Sequence, residues 1–443
     1  MNDIKNAVDK YKQLILDSER FIWEHPETGY KEFETSKYMA ETFKSLGYDL
    51  VMADGITGFY TVLDTGKPGP EVMILAELDS IICPTHKDAN PETGAVHACG
   101  HNAECAALVG IAAALKEPGM LDNLCGRIRL CAVPAEEHME MDYRKSLRDE
   151  GKIKYFGGKT EFLSRGYFDG VDIAFMVHMS SEFSVDNGSV GCLIKKITFK
   201  GVTAHAGGAP WDGKNALYAA NCGLNAINAL RETFKEQDII RIHPIITNGG
   251  TIVNGIPDKV VLESYIRGAN FDAINDANRK VNRALAGAAL SLGVNVEIED
   301  VPGYAPLIND KNMIDLVCDA AEEFIPEETM KRKDFVYSIC TDMGDLSAIM
   351  PVVHPYCGGT EGGLHGSEFC VKDHVKACVK NAILQLGMLN LLLQNGAERA
   401  NKVIKEHKPL FASKEEYLSF VDSLNSSGDR IEYNGTDVAT VKL

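Results

Sequence analysis

The chain has 443 residues, more than one hydrophobic core usually supports, so about two domains are expected. Hydrophobic residues make up 45% and charged residues 24%, the proportions of a compact globular protein with little room for long disordered stretches. The formal net charge of −18 argues against a nucleic-acid surface, which needs clustered Lys and Arg, and the apolar run 384–393 falls short of the roughly twenty residues of a membrane span. An anionic substrate stays open, because a divalent cation or a buried arginine reverses the local potential whatever the global sign.

The first 23 residues alternate charged and apolar positions at helical spacing and lack the basic-then-apolar-then-small signature of an export signal, which predicts a cytoplasmic protein. Apolar positions over 4–46 predict two helices, broken at Pro26 and Gly29. Short β-rich runs follow at 58–63 and 72–76, on either side of a Gly/Pro turn. A helix is expected over 106–116, and a strand over 127–133 that is nearly all apolar after Arg129 and therefore central. A further apolar run, 173–177, ends at His178. Strands alternating with helices, and reactive residues at strand C-terminal ends, describe an α/β fold: an open mixed sheet with helices on both faces.

Between 189 and 302 the pattern becomes β, α, β, β, α, β, the order of a ferredoxin-like α+β unit. It reads as an insertion, because His365 lies beyond it and must return to the first sheet. The expected domains are therefore a catalytic domain in two parts, 1–188 and 303–400, around an inserted domain at 189–302. Residues 401–443 form a polar C-terminal extension without a readable motif. Twelve cysteines, many in apolar runs such as Leu130-Cys131-Ala132, are expected to be reduced core thiols in nearly every case.

The densest chemistry is His97-Ala98-Cys99-Gly100-His101-Asn102-Ala103-Glu104: a thiol, two imidazoles and a carboxylate within eight residues. A turn at Gly100 would aim Cys99 and His101 at one point, as a transition-metal site needs. Glu136-Glu137, His178 and His365 each add a donor at an expected strand end or glycine-rich loop. Adjacent glutamates at a strand end point in opposite directions, so one can hold a metal while the other faces the substrate water as general base; spacing does not say which. Glu77 and Asp79 share a side of their strand end, where Asp79 either orients a ligating histidine or simply meets solvent. His178 taken alone reads as a buried structural histidine. Surface or packing roles are expected for His86, His97, His138, His243, His354 and His374.

These motifs resemble the aminoacylase-type metal-dependent amidohydrolases and peptidases with a two-metal site. The branch of auxin-conjugate and hippurate hydrolases carries H-A-C-G-H-D. More similar is the branch of aminobenzoyl-glutamate hydrolases and β-alanyl dipeptidases, with A-E-x-D and then A-C-G-H-N, present here as Ala76-Glu77-Leu78-Asp79 and Ala98-Cys99-Gly100-His101-Asn102. The resemblance implies Cys99, His101, Glu137, His178 and His365 as metal ligands and Glu136 as general base, and the nearby Cys99 cluster tips Asp79 toward the partner of a ligating histidine. It implies an inserted domain that acts as lid and dimerisation module, and a homodimer in which His205 reaches the partner's site to stabilise the oxyanion. Asn254 and Arg267 match positions that hold the substrate carboxylate or carbonyl, although Arg267 also reads as a strand-end surface arginine. Longer segments at 83–96 and 138–168 depart from the pattern and bear on substrate identity.

The expected activity is hydrolysis of an N-acyl amino acid or dipeptide-like amide, a small-molecule substrate, with about two divalent ions per chain. Zinc fits mixed thiolate, imidazole and carboxylate donors best, and manganese, cobalt and nickel fit them too. Two other readings of the same residues are a thiol hydrolase with Cys99 as nucleophile and a non-catalytic protein that binds a small amide.

Overall fold

A computed structural model of the chain describes residues 2–435 and 438–443, which form two compact units. The first takes in residues up to Gly188, Leu307–Phe335 and Asp345–Lys414. Its main sheet has six strands in the order Val51–Met52, Phe59–Asp64, Arg127–Val133, Glu71–Glu77, Ile173–Phe175 and Val352–Val353. The first two pairings are antiparallel and the other three parallel, so the sheet is mixed, as the sequence pattern predicts.

Glu71–Glu77 is buried at every position, and Arg127–Val133 at every position after Arg127, because strands inside a sheet covered on both faces meet no solvent. Helix His101–Leu115 lies between them in sequence and is itself buried throughout. Only a helix apolar on all sides tolerates that position, and this one is largely alanine. Its Gly110 gives helix Lys12–Glu24 a close seat: a Cβ there would come 2.5 Å from Ile15 Cδ1.

The N-terminal region differs from its expected two helices. It forms three, Asn2–Lys10, Lys12–Glu24 and Phe33–Ser45, because Tyr11 leaves helical geometry at φ −102° and ψ 12°. Its hydroxyl, with Lys10 beside it, is held by Glu117. Residues 83–96 close a small hairpin that pairs Ile81–Ile82 with Ala95–Val96. The charged stretch 138–168 contains helices Met141–Asp149 and Gly158–Ser164, and its Arg144 and Lys159 are buried, at 1% and 0% exposure.

The second unit comprises Ser189–Pro306, Val336–Gly344 and the chain from Glu415 onward. Its elements run Gly191–Lys200, helix Ala216–Leu230, Arg241–Ile242 with Ile245–Asn248, Lys259–Gly268, helix Phe271–Ser291 and Asn295–Pro302. In the sheet the order is Arg241–Ile242, Lys259–Gly268, Gly191–Lys200, Asn295–Pro302, with antiparallel neighbours throughout. That is the split βαβ arrangement. Alternate residues such as Ile197 and Phe199 pack with Ala220, Ile227 and Leu285 from the two helices in one core.

The polar tail corrects the expectation of a separate extension. Ser426–Asp429 adds an edge strand beside Asn295–Pro302, and Ile431 enters the core of this unit. An uncovered edge strand exposes unpaired N–H and C=O groups, which the added strand satisfies. Of the twelve cysteines six are buried, five half-buried and Cys222 exposed, so the core-thiol expectation holds for half of them. Among the described residues no helix is long and apolar enough to cross a membrane.

Candidate metal centre

The strand ends of the first unit deliver the donors. Glu77 closes strand Glu71–Glu77, and Asp79 follows two residues on. Cys99 and His101 flank Gly100, which caps helix His101–Leu115 at φ 99°. This backbone conformation favours glycine, and a Cβ at Gly100 would come 2.6 Å from Met179 Cβ. Glu136 and Glu137 come three and four residues after strand Arg127–Val133, past Ala135 at φ 57°. His178 begins the short strand His178–Met179. His365, at φ 62°, is fixed by its N–H donating to the Ala98 carbonyl at 2.8 Å. Left-handed backbone at Ala135 and His365 costs about 1–2 kcal/mol per residue and persists only where the surroundings enforce it.

The two buried imidazoles are oriented alike. His101 Nδ1 lies 2.8 Å from the Asp79 carbonyl, and His178 Nδ1 lies 2.8 Å from the Met179 carbonyl. A carbonyl can only accept, so each Nδ1 carries the hydrogen and each Nε2 offers a lone pair inward. His101 Nε2 then faces Glu77 Oε2 at 3.1 Å, and His178 Nε2 faces Cys99 Sγ at 3.3 Å and Glu104 Oε1 at 3.8 Å. Two acceptors that close are stable only with a cation or a proton between them.

The donors fall into overlapping sets, each with its ligand atoms within 4.8 Å of one another. One is Cys99, His101 and His178; a second is Cys99, Glu137 and His365; a third is Glu77, His101, Glu104 and His178; a fourth is His101, Glu136 and Glu137. Thus six of the sequence-derived residues, Cys99, His101, Glu136, Glu137, His178 and His365, come together, and Asp79 stands behind them, its Oδ1 3.3 Å from His101 Nδ1. Thiolate, imidazole and carboxylate donors in this number fit a divalent transition metal. The orphaned buried atoms fit it as well: His101 Nε2, Glu77 Oε2 and both Glu104 carboxylate oxygens have no hydrogen-bond partner.

Electrostatics point the same way. Burial pushes the Cys99 thiol well above its usual range, so a thiolate here needs a cation at hand. Burial opposes a charge on His101, yet Cys99, Glu77 and Asp79 push its pKa well above that of a free imidazole, the signature of a field that attracts cations. Burial together with His101 lowers His178 to about 4, which keeps it neutral, the form that binds metal. For Glu137 burial acts upward, but His365, 2.8 Å away, holds the carboxyl below the usual range.

Around the donors is a frame that the sequence did not disclose. Glu137 N–H donates to Asp79 Oδ2 at 2.8 Å, Ala135 N–H donates to Glu32 Oε1 at 2.8 Å, and Arg144 donates to the Glu137 carbonyl. Lys159 forms a buried ion pair with Glu77. His354, expected to be a packing histidine, lies against His178 with ring centroids 5.6 Å apart. Such partners come from residues distant in sequence and carry no local pattern. Glu104 had a signal, one helical turn beyond His101 on the same face.

The remaining sequence-derived residues are in the second unit. His205 is exposed and bridges to Gly255, while the Asn254 carbonyl accepts from Ala206 N–H at 2.9 Å, so the two loops are joined. His205 Nδ1 accepts from the N–H groups of Gly207 and Gly208 at 3.2 and 2.9 Å, which leaves the ring hydrogen on Nε2. Arg267 Nη1 donates to the Ser338 carbonyl at 3.3 Å, and its guanidinium lies 5.6 Å from the Tyr265 ring centroid.

Residues 76–383 match the group described as Peptidase family M20/M25/M40, and the chain belongs to that family. The human Xaa-Arg dipeptidase is 31% identical over 366 residues, covering 79% of this chain and 78% of the relative. The N-acetyl-L-cysteine deacetylase of Bacillus subtilis is 29% identical over 349 residues, covering 74% and 77%. The fold is that of a dinuclear metal binding peptidase of the M20 family from Bacillus subtilis, with a TM-score of 0.65, 19% identity and coverage of 87% of this chain and 99% of that one. The family expected from the motifs is therefore the family found, and the chain is a metal-dependent hydrolase of amide bonds.

Proposed function

We propose that the protein cleaves the amide bond of an N-acyl amino acid or dipeptide-like substrate, using about two divalent ions held by Cys99, His101, Glu137, His178 and His365. The observation that carries this reading is the pair of ligand sets that share Cys99, one completed by His101 and His178, the other by Glu137 and His365. Zinc is the preferred ion, with manganese, cobalt and nickel as the other fits to these donors. Ions bound there supply Lewis acidity, polarising the scissile carbonyl and acidifying water.

The chain's own residues do the rest. Glu136, in one set with His101 and Glu137, accepts the proton of the attacking water and returns it to the leaving amine. Asp79, through its carbonyl, keeps the His101 hydrogen on Nδ1. His205, with its hydrogen on Nε2, donates to the oxyanion of the partner subunit's site, in a cytoplasmic homodimer whose lid and dimerisation module is the second unit. Asn254 and Arg267 hold the substrate's carbonyl and carboxylate, for which the guanidinium fork is suited. A thiol mechanism through Cys99 is disfavoured, because burial raises its pKa and because Glu137, His178 and His365 would then have no task.

Elemental analysis of Cys99→Ala and His365→Ala is the direct test. Both variants should lose metal relative to the purified wild type, and chelation should abolish turnover of N-acyl amino acids until metal is restored. Unchanged metal content in both would sink the ligand set.

A further inference from the structure

The proposed ligand set leaves Glu104 without a task. It is 1% exposed, and neither of its oxygens has a hydrogen-bond partner. Burying an unpaired carboxylate is costly enough that a protein keeps one only where a cation or a proton neutralises it. Its acidic neighbours are already balanced: Glu77 pairs with Lys159, Glu137 with His365 and Glu32 with Thr57 and the Ala135 N–H. Glu104 instead has Oε1 3.8 Å from His178 Nε2, the nitrogen whose lone pair faces inward. Its ligand atom lies within 4.8 Å of those of Glu77, His101 and His178, all four being buried.

The helix explains how it arrives there. His101 and Glu104 stand three residues apart in the buried first turn of His101–Leu115, so both side chains leave the same face. A His and a Glu at this spacing on one helix are a known way to bring an imidazole and a carboxylate to one ion.

We propose that Glu104 is a direct carboxylate ligand of a divalent ion held by His101 and His178, a donor additional to the set given above and resting on that set. The added carboxylate makes this position more anionic and oxygen-rich than His101 and His178 alone. It should widen the range accepted at this position to ions of higher coordination and oxygen preference, such as manganese or cobalt, alongside zinc.

The test uses full-length Glu104→Gln and Glu104→Asp, loaded with cobalt and with zinc. Competition with a chromophoric chelator should show one of the two ions released at least about tenfold more readily in Glu104→Gln, the second unchanged, and Glu104→Asp in between. The cobalt absorption spectrum should also change, because a neutral amide replaces a charged donor. In the metal-free state Glu104→Gln should melt at or above the wild-type temperature, since it removes a buried carboxyl whose oxygens have no hydrogen-bond partner, whereas a residue needed only for packing or folding would lower both states alike. Chelator curves and cobalt spectra identical to wild type would overturn the proposal. If Cys99→Ala still loses metal in that case, the ligand set stands and only Glu104 is excluded. If neither variant loses metal, the ligand set itself has failed.

Discussion

Glu136 and Glu137 are adjacent and both buried, with ligand atoms within 4.8 Å of one another, yet they are expected to act differently. Glu137 Oε1 is 2.8 Å from His365 Nε2, which ties it to the second ligand set. Glu136→Gln should therefore keep its metal and lose roughly 10²–10⁴-fold in turnover, as removal of a general base does. Glu137→Gln should lose metal first, and the reverse pattern in elemental analysis and kinetics would exchange the roles. Lys159 offers a stability test at the same scale. Burial alone would raise the Glu77 carboxyl, but Lys159 and His101 hold it at about 2. A carboxylate with its folded pKa below the ordinary 4.5 contributes stability that is full above pH 4.5 and is lost as the pH falls toward 2. Lys159→Met leaves Glu77 buried without its ammonium and should cost about 3–5 kcal/mol at neutral pH in denaturant unfolding. The variant's deficit should shrink as the solution is acidified, and a deficit independent of pH would remove the ion pair from the explanation.

Among the elements, helix Gly158–Ser164 supports the glutamate loop from behind. Gly158 N–H donates to the Ala135 carbonyl at 3.1 Å, and a Cβ at Gly158 would lie 1.6 Å from the Pro134 carbonyl oxygen. Gly158→Ala must therefore push this loop and Glu136 with it. The expected cost is roughly 1–3 kcal/mol from overpacking and up to about 10²-fold in kcat from the displaced base. Wild-type kcat in a folded Gly158→Ala protein would mean that the loop relaxes without moving Glu136. In the second unit, helix Lys414–Ser423 buries Tyr417 to 1% exposure, although nothing in the local sequence marks this tail as part of a domain. Tyr417→Ala should destabilise the protein by about 3–5 kcal/mol, measured by thermal or urea unfolding. A loss below about 1 kcal/mol would make the tail an appendage after all.

At the scale of the whole molecule, the proposed homodimer carries a test of catalysis in trans. His205 belongs to the second unit, while the proposed ligands Cys99, His101, Glu137, His178 and His365, with Glu136, belong to the first. If His205 serves the partner's site, then mixing inactive Glu136→Gln chains with inactive His205→Ala chains should restore activity, since one of the two hybrid sites then holds both intact residues. Subunit exchange must be verified by a mass or fluorescence label. An exchanged mixture that stays inactive would confine His205 to its own chain.

Local sequence determined what depends on neighbouring residues. The Cys99-Gly100-His101 turn was legible because only glycine fits a left-handed backbone pressed against Met179, and the buried helix after it because its composition is apolar all round. The order β, α, β, β, α, β likewise follows from periodicity, which is set within each element. The site as a set of donors was legible in part, since strand ends and glycine-rich loops mark where side chains emerge. Tertiary structure alone decided which of those donors meet, and it added Lys159, Arg144, Glu32 and His354 around them. It also turned the polar tail into an edge strand and left Glu104 without a hydrogen-bond partner inside the cluster. The physical reason is that periodicity records which face of an element is buried, whereas pairing of buried charges and strand edges depends on residues far apart in the chain. For those the sequence carries no spacing to read.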